Sequence, residues 1–367
     1  MTTTITAAVL RSKGAPLSFE QLELDEPRAD EVVVRMVATG VCHTDAHVRH
    51  QFIPSPLPIV LGHEGAGIVE KIGDAVTSVV PGDHVVMSFN FCGGCRPCWS
   101  GHPAYCDQAY SMNLGGTRSD GSCGLRSGGG EAIYGRFFGQ SSFATHALAY
   151  QRNIVKVPKD LPLELLAPLG CGLQTGAGSI LRALAMPSGA SLAVFGVGAV
   201  GLSAVMAAKI AGATTIIAID INRDRISLAR ELGATHSIEA GISPDIAAEI
   251  REITGRGVDF VLDTSGQKSS LEAGASALAH MGRFGFVAFN EGAGAVVDAS
   301  KFFLGQALQG IVQGSAVPQV FIPELISLHR AGHFPFERLI TFYAFSELER
   351  AFADTANGSS VKAVLRF

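Results

Sequence analysis

An apolar run, Leu192-Ala-Val-Phe195, passes without a spacer into Gly196-Val-Gly198-Ala-Val-Gly201 and on into an Ala-rich stretch of helical texture. A buried strand that must turn at once into a helix has few backbone solutions. Three glycines at this spacing supply them: a tight turn, close approach of main chain to a ligand, and close helix packing. The helix N-terminus formed in this way offers unsatisfied N–H groups and a positive dipole end, which suits a pyrophosphate. Asp220 follows nineteen residues beyond Gly201, at the end of the next apolar run. Its carboxylate can accept hydrogen bonds from both ribose hydroxyls and repels a 2′-phosphate, so the pattern favours NAD over NADP, a preference that Arg223 and Arg225 close by weaken slightly.

The same rhythm extends on both sides of this turn. Residues 191–195, 200–211, 216–220 and 223–232 alternate apolar runs with helical stretches, and the pattern continues through Val258-Asp-Phe-Val-Leu-Asp263 and Gly285-Phe-Val-Ala-Phe289. Such alternation predicts an α/β domain built on a parallel, doubly wound sheet. Before about residue 155 the texture is different, with short Val- and Ile-rich runs such as Glu31-Val-Val-Val-Arg-Met-Val and Gly67-Ile-Val-Glu-Lys-Ile-Gly set between Gly and Pro turns, which predicts mostly β structure. The chain ends on Val317-Pro-Gln-Val-Phe-Ile-Pro and then Ser359-Ser-Val-Lys-Ala-Val-Leu-Arg-Phe, a tail suited to rejoin the first domain as a closing helix and strand. The expected division is 1–171 with 316–367 for the β domain and 172–315 for the nucleotide-binding domain.

Cysteine spacing carries the chemistry. Cys92-x2-Cys95-x2-Cys98-x7-Cys106 gathers four soft thiolates in one short loop, 92–106, the donor set of a closed structural zinc site. Cys42, His63 and Cys171 form a separate trio. Three protein ligands leave a tetrahedral ion with an open position, where substrate chemistry is possible. The alternatives are duller: Cys171 sits in a Gly-rich apolar segment where a buried cysteine is an ordinary small hydrophobe, and the dense four-cysteine set can be read as redox thiols. Cys123, the seventh cysteine, receives no metal.

A chain of 367 residues, 47% hydrophobic and with 43 glycines, is long enough for two cores and too apolar for disorder. A net charge of -5 provides no basic surface, so neither nucleic acid nor an anionic membrane is expected as a partner. The N-terminal residues lack the pattern of a secretory signal, no apolar run is long enough to span a membrane, and free thiols in metal-like spacing fit a reducing compartment, so a cytoplasmic location is expected.

Taken together, Gly40-Val-Cys42-His43-Thr44-Asp45, Gly62-His63-Glu64-Gly-Ala-Gly-Ile-Val, Pro81-Gly-Asp83, the four-cysteine loop, Cys171-Gly-Leu-Gln-Thr-Gly-Ala-Gly and the glycine turn resemble the zinc-dependent medium-chain alcohol dehydrogenases from end to end. Within that family, Phe137-Phe-Gly-Gln-Ser-Ser-Phe143 and Pro168-Leu-Gly-Cys171-Gly-Leu-Gln-Thr-Gly-Ala-Gly178 are most similar to the aryl-alcohol (benzyl alcohol) dehydrogenases. The resemblance implies a GroES-like, mostly-β catalytic domain beside a Rossmann domain, an active site in the cleft, and a homodimer or homotetramer in which 310–314 pairs with its symmetry mate. It implies NAD and two zinc ions per subunit, one catalytic on Cys42, His63 and Cys171 and one structural on Cys92, Cys95, Cys98 and Cys106. Thr44 would take the hydroxyl proton and relay it through the nicotinamide ribose to His47 and water, Asp45 would fix the His63 tautomer, and Glu64 would stand beside the metal. Cofactor contacts fall on His43, Thr175, Gly196, Val197, Gly198, Ala199, Val200, Gly201, Asp220, Arg225 and Lys362. His43 and His47 also have an ordinary surface reading, and Thr44 suits a helix N-cap.

Phe137, Phe138 and Phe289 are expected as pocket walls, with Phe143 close by in sequence, and aromatic walls suit a flat substrate. The expected reaction is therefore reversible oxidation of a primary aromatic or allylic alcohol of the benzyl type to its aldehyde. Allylic terpene alcohols such as geraniol or perillyl alcohol are an alternative. A glutathione-dependent formaldehyde dehydrogenase would need basic groups for a charged adduct, and a non-catalytic NAD sensor would not need the Cys42, His63, Cys171, Thr44 and His47 set.

Overall fold

The computed structural model describes residues 2–288 and 298–367. Phe289, expected at a pocket wall, lies outside the described residues. The chain forms two compact units, Met1–Cys171 with Val317–Glu324 and Glu337–Phe367, and Gly172–Ala316 with Leu325–Phe336.

In the first unit five strands, Thr3–Leu10, Ser18–Leu24, Gly124–Ser127, Ala132–Tyr134 and Ile59–Val60, close a barrel. A seven-stranded sheet is organised around Glu31–Gly40. That strand is Val-rich and buried along most of its length, because it pairs with Gly65–Ile72 and His146–Tyr150 and, near its end, with Lys362–Arg366. The alternation of β-branched residues on both faces suits such a covered position. The C-terminal helix Leu348–Asn357 ends on Gly358 in the left-handed region, and the chain then enters Lys362–Arg366, which sets Val364 opposite Gly40. The closing helix and strand expected from the tail are thus formed. Arg49 ties this tail down through Glu349 at 2.9 Å and a guanidinium 5.4 Å from the Phe352 ring.

Beneath the outer surface of this unit lies a buried ionic group. Glu31, fully buried, accepts from Arg118 at 2.8 and 3.0 Å and from the Arg28 N–H, with Arg136 at 3.4 Å, and Arg118 also reaches Asp25 at 2.8 Å.

The second unit holds a six-stranded, wholly parallel sheet in the order His236–Glu239, Thr215–Asp220, Ser191–Phe195, Val258–Asp263, Leu278–Phe286, Ala307–Gly310. The order runs outward in both directions from Ser191–Phe195, so the switch point of the sheet falls at the glycine turn. The turn leads into Ala199–Ile210, and a Cβ on Gly201 would lie 2.0 Å from the Gly196 carbonyl oxygen, so only glycine lets the helix sit this close to its strand.

Three boundaries differ from expectation. Residues 325–336 group with the second unit, and their apolar side chains Leu325, Ile326, Phe334 and Phe336 are all buried. The strand expected over 285–289 begins at Leu278 and ends at Phe286. The edge strand is Ala307–Gly310 rather than 310–314, because Gln313 and Gly314 adopt positive φ and break the extended run. Among the described residues no helix is long and apolar enough to cross a membrane.

Candidate active site

Asp45 organises the centre of the first unit. It is the third residue of the short helix His43–Arg49, whose N-cap is Cys42, and its carboxylate caps that helix by accepting from the Cys42 N–H at 3.0 Å. Thr44, expected as the cap, instead lies inside the first turn, because an acid at the third position satisfies the N-cap amide. The other Asp45 oxygen accepts from the Gly62 N–H at 3.0 Å and sits 3.0 Å from His63 Nδ1. One buried carboxylate thereby fixes Cys42, the 62–63 backbone and the imidazole ring. With Nδ1–H directed at Asp45, the lone pair of Nε2 faces the interior, and Nε2 is buried with no hydrogen-bond partner.

Further contacts set the remaining donors. Gln140, fully buried, donates to the carbonyls of His63 and Ser88 at 3.0 and 3.1 Å and accepts from the Gly65 N–H. Ser88 in turn donates to the Gly170 carbonyl at 2.7 Å, next to Cys171. Cys42, His63, Glu64 and Cys171 thus converge, each offering a ligand atom within 4.8 Å of the others. A Cβ on Gly40 would lie 1.9 Å from Glu64 Oε2, so glycine there is what leaves room for the carboxylate. The Cys171 thiol donates to Cys42, which pulls Cys42 well below the ordinary thiol range and pushes Cys171 above it. Burial raises the Glu64 carboxyl to about 7 against the pull of Lys362.

Lys362 is expected from the family resemblance among the cofactor contacts. Its ammonium is buried, 2.5 Å from Glu64 Oε2 and donating to the Val41 carbonyl at 3.1 Å. Nothing in the local sequence signals a pair separated by almost the whole chain. For Gln140 the one signal in the sequence is a polar side chain set among the phenylalanines of 137–143.

Thr44 Oγ1 lies 3.8 Å from Cys42 Sγ, and His47 occupies the same helix, its ring 5.1 Å from Phe52. His43, at the first position of that helix, is exposed. Of the aromatic walls, Phe138 is partly exposed and stacks on His63 at 4.4 Å. Phe137 is fully buried and meets the edge of His63 at 5.5 Å, so it backs the site instead of lining it, and Phe143 is a core residue against Phe352.

The four-cysteine loop stands apart. Cys92, Cys95, Cys98 and Cys106 also offer sulfurs within 4.8 Å of one another, with separations of 4.0 Å for Cys92–Cys98 and 3.8 Å for Cys95–Cys106. A tetrahedron with metal–sulfur bonds of about 2.3 Å has its sulfurs about 3.8 Å apart, close to both of these separations, so the donor set suits zinc. Backbone N–H groups of Gly94, Cys92 and Gln108 point at these sulfurs, and the Gly94 N–H lowers the Cys92 thiol to about 7. Burial pushes Cys98 up to about 12. Cys123 is half-buried and belongs to neither cluster.

In the second unit, Asp220 accepts from the Val197 N–H at 2.7 Å and the Asn222 N–H at 2.9 Å, which fixes its carboxylate at the glycine turn. Gly198 is the N-cap of Ala199–Ile210 and has open space where a Cβ would stand, leaving Ala199, Val200 and the helix end accessible to an anion. Arg225 Nε is buried without a hydrogen-bond partner, and Thr175 is buried in the helix Gly172–Gly178.

Residues 28–159 match the alcohol dehydrogenase GroES-like domain and residues 199–328 the zinc-binding dehydrogenase domain. A geraniol dehydrogenase of Castellaniella defragrans is 45% identical over 98% of this chain and 97% of its own. The chain belongs to the zinc-binding medium-chain alcohol dehydrogenases. Among solved structures, an alcohol dehydrogenase zinc-binding domain protein from Burkholderia ambifaria is 51% identical with a TM-score of 0.97, each chain covering 100% of the other. The benzyl alcohol dehydrogenase of Acinetobacter calcoaceticus is 46% identical with a TM-score of 0.95, over 100% of this chain and 99% of that one. The α/β architecture read from the sequence, a GroES-like domain with a Rossmann-type domain, is that of the family.

Proposed function

We propose that this alcohol dehydrogenase converts primary aromatic or allylic alcohols reversibly to their aldehydes with NAD, using a catalytic zinc on Cys42, His63 and Cys171 and a structural zinc on the four-cysteine loop. The observation that carries the reading is the orphaned, buried His63 Nε2 beside two cysteine sulfurs, a soft donor set with one ring nitrogen already committed to Asp45. Bound there, zinc supplies Lewis acidity that lowers the pKa of an alcohol hydroxyl. Bound at the glycine turn, NAD supplies the hydride acceptor.

The protein's own residues do the rest. Thr44 receives the hydroxyl proton and passes it toward His47, the base on the same helix. Asp45 keeps the His63 proton on Nδ1. The carboxylate of Asp220, held by the Val197 N–H, receives the adenosine ribose hydroxyls, while the N–H groups at 198–201 receive the pyrophosphate, with Arg225, Thr175 and His43 as further contacts. Phe138, stacked on His63 and partly exposed, gives a flat substrate an aromatic face close to the donor set, backed by Phe137. The similarity to a geraniol dehydrogenase and to a benzyl alcohol dehydrogenase supports a substrate whose carbonyl product is conjugated.

The test is reduction of NAD by purified protein over a panel of benzyl alcohol, geraniol, perillyl alcohol, ethanol and hydroxymethylglutathione, each with and without chelator. Turnover strongest on the benzyl or allylic alcohols and lost with zinc supports the reading. Preference for ethanol or hydroxymethylglutathione would overturn the substrate class while keeping the metal chemistry.

Asp45→Asn probes the organisation of the site separately. The amide cannot accept at every contact the carboxylate makes, so the affinity of the catalytic zinc is expected to fall about 10- to 100-fold, read by competition with a chelator. An unchanged affinity would mean that Asp45 serves only the helix cap.

A further inference from the structure

We infer that Glu239 is a second determinant of dinucleotide choice: it holds Arg223 and sets an additional carboxylate beside Asp220, so that a 2′-phosphate is refused. The inference rests on the NAD reading of Asp220 and explains why an arginine close to that acid does not recruit NADP. Asp220 ends Thr215–Asp220, Glu239 ends the neighbouring strand His236–Glu239, and the two residues are register partners in the parallel sheet. Partners in adjacent strands share a face, so two acids stand side by side at the carboxyl ends of the strands, where a dinucleotide's ribose is received.

Arg223 opens the helix Arg223–Leu232, directly after this strand end. Unengaged, a guanidinium there is a ready 2′-phosphate ligand, since charge-assisted pairing with phosphate is what arginine does best. It is engaged: Arg223 Nε lies 2.9 and 2.8 Å from the two Glu239 oxygens. The arginine side chain is 73% exposed and the glutamate 28% exposed, so the pair contributes little to folding stability and its removal leaves the sheet intact. Its consequence is local. Arg223 is turned toward the second strand and partly neutralised, and a phosphate approaching Asp220 meets two carboxylates. Arg225, on the same helix turn, donates its backbone N–H to the Asn222 cap at 3.2 Å, and its Nε is buried without a hydrogen-bond partner.

The experiment measures NADH and NADPH dissociation constants by the fluorescence of the reduced nicotinamide, for wild type, Glu239→Gln and the double variant Arg223→Ala/Glu239→Gln. Glu239→Gln is expected to shift the ratio of the two affinities toward NADPH by about tenfold, and adding Arg223→Ala to remove most of that shift. A ratio within about twofold of wild type in Glu239→Gln would overturn the proposal, as would a full shift that survives loss of Arg223, which would show that holding Arg223 has no part in the choice. The wild-type preference is a separate answer. Equal binding of NADH and NADPH by wild type would overturn the NAD reading of Asp220, while the shift between variants would still judge Glu239.

Discussion

Cys171→Ser is expected to lower kcat/KM by about three orders of magnitude or more and to reduce bound zinc by one ion per chain, with the thermal transition preserved. Serine keeps the size of the side chain and loses the soft donor: its hydroxyl stays protonated at neutral pH and binds zinc poorly. The surroundings explain why nothing else can substitute. The position is held by Ser88 through the Gly170 carbonyl, and the nearest further ligand atom, on Glu64, is engaged by Lys362. Metal content separates this site from the other cluster, since the four sulfurs of the 92–106 loop are untouched. The thiol of Cys171 is raised by its hydrogen bond to Cys42 and by burial, so zinc must displace a tightly held proton, and zinc uptake is expected to weaken as pH is lowered. Turnover within tenfold of wild type in Cys171→Ser would remove the trio from the mechanism.

What could be read from the sequence follows from how local each cause is. The strands and helices over 191–232 appear nearly to the residue, because each is a single hydrophobic period bounded by its own turn, and the glycine turn is a contiguous motif whose sterics need no distant partner. Cys92 to Cys106 is legible for the same reason. The trio was accessible only because the residue types are chemically distinctive, not because the sequence brings Cys171 to Cys42. Long-range pairs left no trace: Lys362 with Glu64, Gln140 with His63, and Glu239 with Arg223 are made by sheet register and tail return. Phe137 illustrates a different limit, since an aromatic residue beside a site looks the same in sequence whether it lines the pocket or backs it.

The buried ionic group around Glu31 was equally silent, and it carries the largest stability effect expected here. Glu31→Gln keeps the volume of the side chain, removes its charge and turns an NH2 group toward guanidinium groups that have almost no access to water. Breaking one side of such a pair leaves a buried cation uncompensated, which costs about 3–5 kcal/mol. The midpoint of thermal unfolding is expected to fall by roughly 5–15 °C. Its pH dependence identifies the cause. Burial pushes the Glu31 carboxyl upward, but Arg118, Arg136 and the Arg28 N–H outweigh it and hold the carboxyl below its ordinary value. A carboxyl lowered on folding stabilises the protein above its unfolded pKa, about 4.3, and loses that contribution as pH falls through the lowered folded value. Wild type and Glu31→Gln are therefore expected to differ most near neutral pH and to converge in acid. A midpoint gap that stays constant down to acid pH would trace the loss to altered packing, and no gap at all would show that Asp25 and the Tyr150 ring, 4.3 Å from the Arg136 guanidinium, suffice to hold the two arginines.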